Sequence, residues 1–563
     1  MSIAGKRVAR GLDTPFEERL FQRVVLLVPL AGLALFFLYP LAIVIWRSLL
    51  QRDGAVGFGN YREILALDHL WRVVWNSMVM SGLTALICVS LGLVIAYAMS
   101  RSRIPLRWLV SLALILPLLA PSLVQALGLI FMFGRNGLLN YLTGMQMQIY
   151  GLPGLVIANS MYALPQAVMI LAVALRYADR RQYDAALVLG ASPWRRFVDI
   201  TLPSLRFGLL SAGFVCFTVT ITDFGNAAVI GGNYRVLASE IYAQVVGQMN
   251  FNMGAVVGIL LLIPTLLAFY LEKVAAQRGG TQEGAIPVEP DRWAPRDIPL
   301  WAASYLTALF LIAIVAVVIF ASFVQLWPYK MSLTLKNYNI TTHGGYDPLW
   351  TSLYASLITA TFGTLMLFAL VLAQRKMSRG PARLVYLLAI IPVGVPGLVL
   401  GLSYVLSFNV KPVFPGILYG SALLIAFCNF YHYHSQGFLT MVTGVRNVPR
   451  QLEETVTTIG GGVWANLRDA IIPIMVPTLI SVFFFLFMRG MVTLSAVIFL
   501  ITPKLSVGAV SVMRLDQAGS STQAAAFSVL IMLTVLAAMG LMRLLLLAQA
   551  RYNGRPGRGE MAG

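Results

Sequence analysis

Apolar residues in this chain come in long runs separated by short polar stretches. The runs fall at about 24–46, 74–99, 108–133, 154–175, 204–230 and 253–272. They resume at 300–325, 351–374, 384–408, 416–442, 474–500 and 524–548. Each is close to the ~20 helical residues that cross a hydrocarbon core. The pattern predicts an all-α membrane protein of about twelve transmembrane helices. The first run follows Lys6, Arg7 and Arg10. It is too long for a signal-peptide core and no small-residue cleavage site closes it, so it reads as a retained helix.

Composition agrees with lipid exposure. The chain has 563 residues, 58% hydrophobic and only 11% charged, against about 25% charged in soluble domains. The net charge of +19 would suggest nucleic acid in a soluble protein. Here the cations sit in loops between apolar runs, which points to topology and anionic membrane lipid instead. They concentrate in alternate loops, at Arg101, Arg103 and Arg107, at Arg176, Arg180 and Arg181, and at Arg375, Lys376, Arg379 and Arg383. This bias places both termini on the cytoplasmic side and demands an even number of spans. Cys88, Cys216 and Cys428 each lie inside an apolar run without a neighbour at ligand spacing, so they read as packing residues rather than disulfides or a metal site.

The two sets of six runs repeat each other. Trp75-Asn76-Ser77 opens the second run and Trp350-Thr351-Ser352 the eighth. The same displacement of 275 positions carries Pro117 and Pro121 onto Pro392 and Pro396. Proline removes a helical donor, so each pair predicts a kink, either a packed bend or one lining a central pathway. Six spans separate matching helices, so the repeat is parallel. Residues 1–276 form the first repeat and 300–563 the second; 277–299, rich in Gly, Pro and charge, reads as a cytoplasmic linker.

One loop in each half repeats as well. The first runs from Arg180 through Asp184, Ala185, Ala186 and Gly190 to Pro203. The second runs from Pro449 through Glu454 and Gly460 to Pro473. Asp184 and Glu454, Gly190 and Gly460, and Pro203 and Pro473 are each 270 positions apart. The pattern predicts a short helix, a glycine turn and a second amphipathic segment. The acidic residue is expected near the helix N-terminus, complementing the dipole. Ala185, Ala186 and Leu189 are expected to form a small apolar face, and the glycine a turn that a side chain would obstruct. A knob of this kind suits a groove on a partner.

The acidic–Ala–Ala, Gly and Ile-x-Leu-Pro spacing resembles the signature loop of permeases of ABC importers that work with a substrate-binding protein. The first copy carries Asp184 for the usual Glu. The second carries Thr455 and Val456 for the alanines and Ala470 for the isoleucine, but keeps Glu454, Gly460 and Pro473. The fused, two-copy layout resembles the ferric-iron, thiamine and 2-aminoethylphosphonate branch, as does Thr222-Asp223-Phe224-Gly225-Asn226 with the Gly231–Ala238 stretch. The resemblance implies the type I ABC importer permease fold in a bacterial inner membrane. It implies that the loops dock in clefts of a separate ATPase, in two copies, and that an extracytoplasmic binding protein docks on the other face. ATP and Mg would then bind the partner ATPase, and no cofactor this chain. No G-x-x-x-x-G-K-[ST] phosphate loop occurs here. Ferric iron or a phosphonate is the implied substrate.

Other residues remain to be placed. Arg489 falls inside the eleventh run, 16 positions past Pro473, and needs a partner or a wet cavity. Asp223, 20 positions past Pro203, is expected near the outer surface. These two are expected to border the translocation path or to join the halves. His432 and His434 point about 200° apart on a helix, so packing or hydrogen bonding is expected rather than a shared metal. No catalytic pair stands out. The competing reading is a secondary transporter of two six-helix repeats, which would need intramembrane acids that are scarce here and would leave the duplicated loop without a purpose.

Overall fold

The computed structural model describes residues 16–51, 53–278, 286, 288–290, 297–342, 344–409 and 418–553. The basic N-terminal residues, most of the expected linker and the residues past 553 lie outside the described set.

Nine helices among the described residues are long and apolar enough to cross a membrane. They are α1 (Val24–Leu49), α2 (Asp68–Arg101), α4 (Leu152–Arg176), α6 (Pro193–Ile221), α7 (Phe251–Arg278), α8 (Asp297–Ser322), α9 (Asp347–Lys376), α13 (Val463–Val492) and α14 (Ser521–Arg551). Two bent pairs, α3 (Arg107–Leu119 with Leu123–Thr143) and α10 (Arg379–Gly394 with Gly397–Phe408), fill the third and ninth places. The tenth place is α11 (Ala422–Arg446), which carries Asn429, His432, His434, Ser435 and Gln436. That polarity faces inward, with Asn429, His434 and Ser435 buried. The twelve segments stand where the apolar runs predict them. Two of the shorter helices, α5 (Arg180–Val188) and α12 (Arg450–Thr458), are exposed.

The proline pairs do more than kink their helices. The limbs of α3 meet at 108° and those of α10 at 101°. Each break is a 3-10 turn, Leu116–Leu119 or Ile391–Gly394. Pro121 has no N–H to offer the carbonyl of Pro117, and the buried Gln125 amide donates there instead at 2.7 Å. In α10, Thr265 Oγ1 donates to the Gly394 carbonyl at 3.3 Å, and Ser435 Oγ to those of Ala389 and Ile390 at 3.0 and 3.1 Å. Neighbouring side chains thus satisfy the freed backbone, as a membrane interior requires. Gln125→Leu leaves the Pro117 carbonyl without this donor. It is expected to cost about 1–3 kcal/mol, read as a lowered thermal midpoint of the detergent-solubilised chain.

Each half is built on the same three-helix core. In the first, α2, α4 and α6 pack mutually; in the second, α9, α11 and α13 do. Small residues bring these helices close. A Cβ on Gly363 would lie 2.6 Å from the Phe430 ring, and one on Gly437 2.6 Å from Leu367.

The first helix of each half crosses to the other. α1 packs on α9 and α10, and α8 packs on α2 and α3. Tyr404 of α10 donates to the Phe36 carbonyl of α1 at 2.6 Å. Trp301 of α8 donates through Nε1 to Ser102 Oγ at 2.8 Å. A Cβ on Gly128 of α3 would lie 2.9 Å from the Ile314 carbonyl of α8. The two repeats are therefore interlocked rather than set side by side.

Candidate coupling loops and central cavity

The two loops sit at the same end of the bundle, each between equivalent core helices. Asp179 caps α5, accepting from the Arg181 N–H at 3.1 Å. The helix closes with Gly190 N–H on the Leu187 carbonyl (3.0 Å) and Ala191 N–H on the Ala186 carbonyl (2.9 Å). α12 closes in the same way, Gly460 onto Thr457 (3.0 Å) and Gly461 onto Val456 (2.8 Å). This is the Schellman arrangement, with glycine at the left-handed position. Gly190 has φ +75° and Gly460 φ +85°. A Cβ at either would meet nothing within 4 Å. The glycines serve the backbone dihedral, and crowding has no part in it, contrary to the expectation of an obstructed turn.

Two further expectations change. Asp184 is the fifth residue of α5, not in its first turn; it pairs with Arg180 one turn earlier at 3.5 Å on an exposed face, a contact worth well under 1 kcal/mol. The dipole is complemented by the Asp179 cap and, in α12, by Glu453 rather than Glu454. Ala185 is exposed, and the strongly exposed apolar residues are Val188 and Leu189, both 86%, and Trp194, 72%. In the second loop Ile459 (79%) and Trp464 (71%) stand at the same places. Leu189/Ile459 and Trp194/Trp464 share the displacement of 270 positions that relates the glycines, so the repeat itself held the signal for this tryptophan pair.

Pro203 and Pro473 are each the second residue after a π-turn, Phe197–Thr201 or Asn466–Ile471. Both stay within long helices, and the bulge takes up the missing donor. The loops are anchored differently. In the second, Arg375 donates to the carbonyls of Val445 and Val448 (2.5 and 2.8 Å) and pairs with Glu453 at 2.6 Å. In the first, Arg101 donates to Leu175 (2.8 Å) and to Val288 of the inter-repeat segment (3.0 Å). Tyr183, equivalent to Glu453, lies under the Arg101 guanidinium at 5.5 Å.

Between the halves is a cavity of about 340 Å³. Its lining follows the repeat: Tyr162 of α4 and His432 of α11, then Gln166 and Gln436 one turn on. Asp223, Pro396 and Arg489 border it. Pro117, Pro121 and Pro392 do not; they are buried within packed helices. Asp223 also departs from expectation. α6 ends at Ile221, so Asp223 lies beyond the helix, half-buried, accepting from the Asn226 N–H at 2.9 Å. α13 likewise stops at Val492, short of the expected 500. The histidines divide as their spacing demands. His434 is buried against the Ala389 carbonyl at 3.1 Å, while His432 borders the cavity. No group of three or more His, Cys, Asp or Glu among the described residues is placed to hold a metal ion.

A helical bundle in two interlocked repeats, with a cavity on the repeat interface and matched knobs at one end, has the architecture of a transport permease. Residues 88–278 match the family described as binding-protein-dependent transport system inner membrane component, whose fold is that of type I ABC permeases. The chain is 28% identical to a putative ferric transport system permease protein of Haemophilus influenzae over 492 residues, 83% of this chain and 76% of that one. It is 24% identical to a putative 2-aminoethylphosphonate transport system permease protein of Salmonella typhi over 269 residues, 46% of this chain and 92% of that one. It is 31% identical to a thiamine transport system permease protein of Brucella abortus over 220 residues, 37% of this chain and 39% of that one. The chain is a permease subunit of an ABC importer, an inner-membrane component with both repeats fused on one polypeptide. Its system includes an ATPase and a substrate-binding protein.

Proposed function

We propose that this permease imports ferric iron or a phosphonate, driven by two copies of an ATPase seated on α5 and α12. The observation that carries the coupling is the duplicated knob, with the same exposed apolar residues at equivalent positions in both halves. Asp184, Ala185, Ala186, Gly190 and Pro203 in the first loop, and Glu454, Gly460 and Pro473 in the second, set its shape and docking. The loops are cytoplasmic, as are both termini, in line with the cations clustered at that end. The binding protein docks on the opposite face, and membrane lipid surrounds the bundle. ATP and Mg bind the partner, and this chain binds no cofactor. ATP-driven closure of the ATPase pair moves both loops and turns the central cavity from one side to the other. The substrate reading rests on the ferric and phosphonate relatives.

Reconstitution in vesicles with the ATPase and binding protein tests this. Uptake should require ATP and persist when ion gradients are dissipated. Uptake that an ionophore abolishes and that proceeds without ATP would establish the secondary transporter instead.

A further inference from the structure

The central cavity holds a cation, Arg489, that no carboxylate among the described residues pairs with directly. Arg489 donates through Nη1 to Tyr162 Oη at 3.2 Å, across the repeat interface. Its guanidinium otherwise lies over the rings of Tyr433 and Phe485, each 5.8 Å away. It makes no ion pair with a carboxylate among the described residues. Two acids line the same cavity, and both are engaged elsewhere. Asp223 accepts from Asn226, and Glu272 accepts from Ser211 Oγ at 3.1 Å. A guanidinium has five donors, and one bond to a neutral phenol leaves most of them unused. Keeping such a charge in a membrane interior is costly unless something compensates it.

The surroundings add neutral hydrogen-bonding groups on the same wall. His432 borders the cavity, and its Nδ1 is buried without a hydrogen-bond partner. Thr493 and Ser495 follow Arg489 where α13 has ended. The repeat itself does not call for an arginine at this place. The equivalent residue of the first half, 270 positions earlier, is Val219, which lines the opposite wall. At this pair of positions one wall therefore carries an aliphatic side chain and the other a fork of donors, while Asp223 and Glu272 of the first wall are held by Asn226 and Ser211. That asymmetry suits an oxyanion, which guanidinium recognises bidentately.

We propose that the cavity is a binding site for a small oxyanion, a phosphonate or carboxylate group of the transported solute or its chelate, held by Arg489 with His432 beside it. This rests on the import reading above and names what the translocation path selects.

The test uses the full chain with its ATPase and binding protein in nanodiscs. Methylphosphonate, acetate and ethylammonium at millimolar concentration are added to the wild type and to Arg489→Gln and Arg489→Lys. One of the two anions should raise the thermal midpoint of the wild type, and ethylammonium should not. The gain should vanish in Arg489→Gln and be reduced in Arg489→Lys. Uptake of the physiological solute should fall about ten- to a hundredfold in Arg489→Gln, the range of one charge-assisted contact. Absence of stabilisation by either anion, or stabilisation that survives Arg489→Gln, overturns the anion site. Loss of stimulated ATP hydrolysis in the wild-type complex would instead overturn the import reading.

Discussion

Gly190→Val abolishes uptake and co-purification with the ATPase, while the chain still inserts in the membrane at normal levels. The residue sits at φ +75°, where an L side chain costs about 1–2 kcal/mol and a β-branched one more. The bundle does not unfold, because the turn is exposed and touches no core residue. What changes is the angle at which α5 meets the segment bearing Trp194. Gly190→Asn provides the control, since asparagine tolerates the left-handed region. It should retain most activity, because a side chain here has open space around it. Gly460→Val, at φ +85°, should behave as Gly190→Val does. Transport rates in vesicles and the ATPase to permease ratio after purification decide the matter. Equal loss in the Val and Asn variants would mean that bulk, not the dihedral, is what fails.

Arg375→Ala uncouples the second loop. The side chain is mostly buried and closes three contacts at once, with the Val445 and Val448 carbonyls and Glu453. Its removal leaves two helix-terminal carbonyls and a half-buried carboxylate without their donor. The local cost should be roughly 2–4 kcal/mol. Hydrogen exchange across 449–460 should accelerate, and ATP hydrolysis should continue with uptake reduced. Arg375→Lys does not restore function, since an ammonium cannot fork across two carbonyls and a carboxylate. Unchanged exchange in Arg375→Ala would show that α12 is held by other contacts.

The twelve segments, the parallel repeat and the two loops were legible because each rests on local pattern: run length, proline spacing and glycine spacing. What escaped depends on three-dimensional context. The proline pairs announced a bend, but its size follows from distant donors such as Gln125 and Ser435 that make a near-right-angle break tolerable. α6 and α13 looked longer because apolar sequence continues past their ends into buried turns. Asp223 was therefore expected on a helix, whereas it lies past the helix end, bordering the cavity. Asp184 was expected to complement the dipole near the helix N-terminus, a role that Asp179 takes as the cap. Trp194 and Trp464 were readable from the displacement that revealed the glycines. The exchange of α1 and α8 between halves had no local signature at all.

That exchange sets a schedule for biosynthesis. α1 leaves the ribosome well ahead of the α10 surface it packs against, which ends at Phe408, roughly 360 residues later. At ~5–20 residues per second, α1 waits on the order of tens of seconds for this surface, although α7 of its own half reaches it earlier. Its exposed face tolerates this, with Val28, Ile45 and Trp46 turned outward in the finished bundle. The nascent first half is meanwhile an open clasp, closed only when the second half is threaded through it.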